Sequence, residues 1–70
     1  MKLTINGQEV DGVASNTVTD LLVEQKVKTP VYVSVELNGE ILDRNQLDSA
    51  TLKDGDRVEF LYFMGGGQWN

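Results

Sequence analysis

Two Asn-Gly pairs, Asn6-Gly7 and Asn38-Gly39, restrict the fold of this chain more than any other feature. Each suits a two-residue hairpin turn, whose central positions need positive φ: asparagine tolerates it and glycine adopts it freely. Alternating segments flank both. Lys2 to Ile5 turns Leu3 and Ile5 inward, and Gln8 to Val13 returns, interrupted at Asp11-Gly12. Val31 to Leu37 carries Val31, Val33 and Val35 on one face and Tyr32, Ser34 and Glu36 on the other, with a short return from Glu40 to Leu42. Between the two hairpins the period changes. Val18, Leu21, Leu22 and Gln25 recur at helical spacing, so a helix is expected from Val18 to about Lys26. Thr17 is placed to cap it, and Asp20 to answer the Thr17 N–H in a shortened capping box. Lys26 and Lys28 lie at its far end, where cations suit the dipole, and Pro30 ends any continuation.

Asp43 to Ala50 reads as polar and irregular, with Leu47 as its inward anchor. Leu52 and a turn at Asp54-Gly55-Asp56 lead into a last strand, Arg57 to Met64. Its alternation puts Val58, Phe60 and Tyr62 on one face and Glu59, Leu61 and Phe63 on the other. Two hairpins separated by one helix and closed by one strand predict an α+β fold: a mixed sheet wrapped around one helix, with the last strand central and parallel to the first. That is the ubiquitin-like β-grasp arrangement. Residues 1–64 then form the domain and 65–70 a flexible C-terminal glycine tail.

Composition narrows the chemistry. The chain of 70 residues has no cysteine and no histidine. It therefore lacks a thiol nucleophile, a zinc–thiolate site, and the commonest general base and metal ligand. No metal site is expected: Asp54, Gly55 and Asp56 supply too few oxygens for calcium. A body this small hardly encloses a substrate cavity as well as a core, so the chain reads as no enzyme by itself. A net charge of −5 argues against nucleic acid or a membrane as partner and suits a basic docking face. With no long apolar run and no leader pattern, a cytoplasmic location is expected.

The chain leaves its last strand through Gly65, Gly66 and Gly67 before Gln68-Trp69-Asn70. Glycines add nothing to a core, but they make a slender thread that a narrow channel in another protein could admit. Leu61 and Phe63, on the outward face of the last strand, form an apolar patch beside this thread, with Glu36 and Glu59 on the same face.

In its order of elements and in several short stretches the chain resembles the ThiS-type sulfur carriers, ubiquitin-like proteins of thiamin (thiazole) biosynthesis. The likeness runs from about Lys2 to Gly67. It rests on Asn6-Gly7, Thr17-Val18 with Leu21-Leu22, Val33-Ser34-Val35-Glu36-Leu37-Asn38, Leu52-Lys53-Asp54-Gly55-Asp56, and above all Val58 to Gly67. The resemblance implies a protein cosubstrate with no bound cofactor. Its terminal glycine would be adenylated with ATP by an E1-like (ThiF-like) enzyme and converted by a sulfur donor to a thiocarboxylate. The sulfur would then pass to a ThiG-like thiazole synthase. Aligned on the last strand, Gly66 and Gly67 are the working pair, with Leu61, Phe63, Glu59 and Gly65 as partner-binding residues. Because Gln68-Trp69-Asn70 follow Gly67, a processing protease would first have to cut after Gly67. Such a tail also admits a carrier for cysteine or methionine biosynthesis, a protein modifier joined through Gly67, or a plain interaction domain.

Overall fold

The helix forms where its apolar stripe and its caps agree. In a computed structural model that describes residues 1–27 and 33–62, α1 spans Val18–Glu24 and buries Val18, Leu21 and Leu22. The Thr17 hydroxyl accepts from the Asp20 N–H at 3.2 Å, as the sequence predicts; among the described residues the reciprocal bond from Asp20 is absent. The helix stops earlier than expected. Gln25 is its C-cap and Lys26 takes φ +56°, with Lys26 N–H donating to Val23 C=O and Val27 N–H to Leu22 C=O. This Schellman-type ending usually uses glycine at the left-handed position, so a lysine there gives the sequence no stop signal. Lys26 lies just past the last turn. Expectations on Lys28, Pro30, Val31, Tyr32 and everything from Phe63 onward fall outside the described residues.

Five strands follow the expected order: β1 (Leu3–Ile5), β2 (Gln8–Val10), β3 (Val33–Leu37), β4 (Glu40–Ile41) and β5 (Arg57–Tyr62). They form one mixed sheet in the order β2-β1-β5-β3-β4, with β5 central, parallel to β1 and antiparallel to β3. β2 ends at Val10, short of the expected Val13, because the chain kinks at Gly12 (φ +75°); Val13 N–H still reaches Met1 C=O at 2.9 Å. Asp43 to Ala50 is more ordered than expected. A single 3₁₀ turn, Arg44–Gln46, is closed by a capping box in which Asp43 N–H donates to Gln46 Oε1 at 2.7 Å. Leu47 is buried behind it, as predicted.

The inward alternation holds throughout. Leu3, Ile5, Val33, Val35, Val58 and Phe60 from the sheet meet Val18, Leu21 and Leu22 from the helix in one core. Aspartates near the start of β5 have structural duties. Asp54 Oδ1 accepts from Lys2 N–H, Asp56 Oδ2 from Lys53 N–H, and Asp56 Oδ1 from the Asn38 amide. No cluster of three or more potential metal ligands occurs among the described residues.

Glu24, at the end of α1, ties the helix to the segment before it. Its carboxylate accepts from the Ser15 hydroxyl, from Ser15 N–H at 3.0 Å and from Ala14 N–H at 3.2 Å. These donors, the Ser15 hydroxyl foremost, hold its pKa below the ordinary value of 4.5. A carboxyl whose folded pKa is depressed contributes stability that is present above its unfolded pKa and is lost as pH falls through the folded value. Glu24→Gln is therefore expected to lower the urea midpoint at neutral pH, and the gap to the parent should close as pH falls below about 4.5. Urea titrations at pH 7 and pH 3 check this; a gap that stays constant would show that the charge of Glu24 is irrelevant to the clamp.

Candidate functional site

One face of the sheet covers the helix and the other has no layer upon it, so the outward positions of β5 and its neighbours are the surface available to a partner. The register settles which residues these are. Glu59 lies opposite Glu36, Leu61 opposite Ser34, Arg57 opposite Thr4, and Glu36 in turn opposite Ile41. Since directly paired residues share a face, Ile41, Glu36 and Glu59 make one row across β4, β3 and β5. Leu61 stands one step further along β5, toward Phe63 and the glycines. Arg57 joins Glu36, Asn38, Gly39 and Glu59 in lining a shallow depression at the other end of this face.

Leu61 and Glu59 thus occupy the outward positions the sequence predicts, Leu61 half-buried and Glu59 exposed. Phe63, Gly65, Gly66 and Gly67 lie outside the described residues. The structure adds Ile41, a large apolar side chain that is 60% exposed and that the sequence reading passed over. The signal was there. A two-residue turn at Asn38-Gly39 sets Leu37 against Glu40, and so Ile41 against Glu36, on the outer face. Two carboxylates set directly opposite each other on a sheet repel. Isolated apolar and acidic residues on a solvated sheet need no explanation, but this face combines a like-charged pair with exposed Ile41 and half-buried Leu61 next to the chain's exit.

The chain can be compared with known proteins on this footing. A model of the ThiS family matches residues 3–67, nearly the whole chain and up to the third glycine. The chain belongs to the ThiS family. A sulfur carrier protein ThiS of Bacillus subtilis is 32% identical over 66 residues, which is 93% of this chain and 98% of that protein. A thiazole synthase of Paramagnetospirillum magneticum is 43% identical over 67 residues. This chain spans only about a fifth of the length of that synthase and of a second one, from Magnetococcus marinus. A crystal structure of a ThiS thiamine biosynthesis protein from Geobacter metallireducens is 59% identical and superposes with a TM-score of 0.83, covering 96% of this chain and 100% of that one. The β-grasp fold of the ThiS family is therefore the fold of this chain. Among the described residues no helix is long and apolar enough to cross a membrane.

Proposed function

We propose that this chain is a sulfur carrier protein of thiamine biosynthesis, a cosubstrate whose Gly67 carboxylate is activated and converted to a thiocarboxylate. The observation that carries the reading is the extent of the family match, which runs through the β-grasp domain and stops at the third glycine, Gly67. A free carboxylate is a poor electrophile. Attack of its oxygen on the α-phosphate of ATP, with loss of pyrophosphate, supplies a good leaving group. A persulfide sulfur then attacks the acyl carbon as AMP departs, and a thiol takes up the donor's second sulfur as a disulfide, leaving the thiocarboxylate. All of these steps use groups of the partner enzymes and the chain's own terminus, so the carrier supplies position and no acid or base. Gln68 to Asn70 must be hydrolysed away first, because a carboxyl held in a peptide bond cannot be adenylated.

Gly66 and Gly65 keep the approach free of side chains, while Leu61, Phe63, Ile41 and the carboxylates of Glu36 and Glu59 dock the body on the E1-like adenylating enzyme. The thiazole synthases among the relatives support a thiazole synthase as the sulfur acceptor. The test is discharge. A chain ending at Gly67 and carrying the thiocarboxylate should lose its sulfur when thiazole synthase and its small substrates are added, and keep it without them. Discharge only to an enzyme of cysteine or methionine synthesis would move the acceptor, and conjugates on lysines of other proteins would replace the carrier reading by a modifier.

The opposed carboxylates yield a second test with two signs. Glu59→Gln removes a like-charge pair and should raise folding stability by about 0.5 kcal/mol. The same change should weaken docking on a basic partner surface, most of all at low salt. Urea unfolding and the salt dependence of binding to the adenylating enzyme measure the two sides. A variant that is both less stable and an equal binder would contradict this role for the pair.

A further inference from the structure

β1 ends too early to serve the whole length of β5. The two run parallel, with Thr4 opposite Arg57 and Ile5 opposite Val58. Thr4 N–H donates to Asp56 C=O and Asn6 N–H to Val58 C=O, both at 2.9 Å. At Asn6 the chain swings into its turn with φ +51°, so the next amide on that side of β5, that of buried Phe60, has no strand to meet. The Asn6 side chain takes the strand's place: Oδ1 accepts from Phe60 N–H at 2.9 Å. On its other side β5 stays paired with β3 as far as Tyr62 opposite Val33. Among the described residues, the Asn6 carboxamide is therefore the last hold on β5 from the β1 side before the chain continues toward the glycines.

We propose that Asn6 is a positioning residue for the sulfur-bearing terminus. It determines where β5 ceases to be held from both sides, and so the root from which residues 61–67 reach a partner's nucleotide site. This rests on the carrier reading above. The turn alone does not require asparagine, since glycine accepts a positive φ at least as well; what glycine lacks is the acceptor that extends the ladder. Without that acceptor the last two-sided anchor retreats from Phe60 to Val58, which adds two residues, about 7 Å of extended chain, to the tether. A longer and less directed tether lowers the effective concentration of its end.

The test compares Asn6→Gly, which keeps the turn and loses the acceptor, with Asn6→Asp, which keeps both. In the full chain, Asn6→Gly should speed hydrogen exchange of the Phe60 amide by about tenfold and leave the Thr4 amide unchanged, while Asn6→Asp retains the parent's protection. In chains ending at Gly67, Asn6→Gly should lower kcat/KM for ATP-dependent activation about two- to threefold, and Asn6→Asp should restore it. Equal Phe60 protection in Asn6→Gly and the parent overturns the latch. A lost latch with unchanged activation overturns the positioning role. The exchange measurement needs no partner, so a parent chain that is never activated counts against the carrier reading and leaves the latch separately decided.

Discussion

A valine at position 67 is expected to reduce ATP-dependent AMP release from a chain ending there by about a hundredfold or more, with the fold untouched. The reacting atom is the acyl carbon of residue 67, and its approach runs through Gly65 and Gly66, which present no Cβ. A branched side chain beside that carbon collides with any channel shaped to glycine, and a displacement of about 1 Å at a reacting centre can cost a hundredfold in rate. Folding should not notice, since the core is built from residues no later than Phe60, with Tyr62 packed against it. AMP release with the adenylating enzyme, set beside a urea titration, separates the two. Full activity in Gly67→Val would mean that residue 67 is not the activated terminus.

The second large effect lies in the core. Leu21→Ala should destabilise the domain by about 2–5 kcal/mol, since Leu21 is fully buried where α1 meets the sheet. A 70-residue domain has roughly 4–10 kcal/mol in total, so this one truncation removes a large share of it. The chain has no disulfide to limit the loss. Urea unfolding followed by the exchange protection of β5 amides should show a much lower midpoint. Carrier activity should fall in proportion to the unfolded fraction, and a change confined to activity would mean that Leu21 faces a partner instead of the core.

Much of this architecture was legible because several local signals agreed. Both Asn-Gly turns adopt positive φ, at +51° and +82° in the first and +52° and +88° in the second, and each sets a hairpin register. Val33, Val35, Val58 and Phe60 are buried as their alternation requires, and the placement of β5 parallel to β1 follows from the element order. The misreadings arose where tertiary contacts overrode local preference. Lys26 occupies a left-handed position that sequence alone assigns to glycine, so α1 was drawn too long. Asp43 to Ala50 contains only polar residues around Leu47, and its 3₁₀ turn depends on a reciprocal Asp43–Gln46 cap that no apolar period announces.

Of the candidate site, Glu59 and Leu61 were readable from the alternation of β5, because a two-residue period leaves no choice of face. Ile41 required the register of the second hairpin, and Asn6 required knowing that β1 stops short of Phe60. Neither follows from residue type. An asparagine in a turn looks the same whether its carboxamide is solvated or completes a ladder.

The mass of a chain ending at Gly67, after incubation with its adenylating enzyme, ATP, a persulfide donor and a thiol, tests the central claim most directly. A gain equal to the difference between a sulfur and an oxygen atom, lost when ATP is omitted and located to residue 67 by fragmentation, is the predicted result. An unchanged mass in the presence of an enzyme shown to be active on another carrier would contradict it.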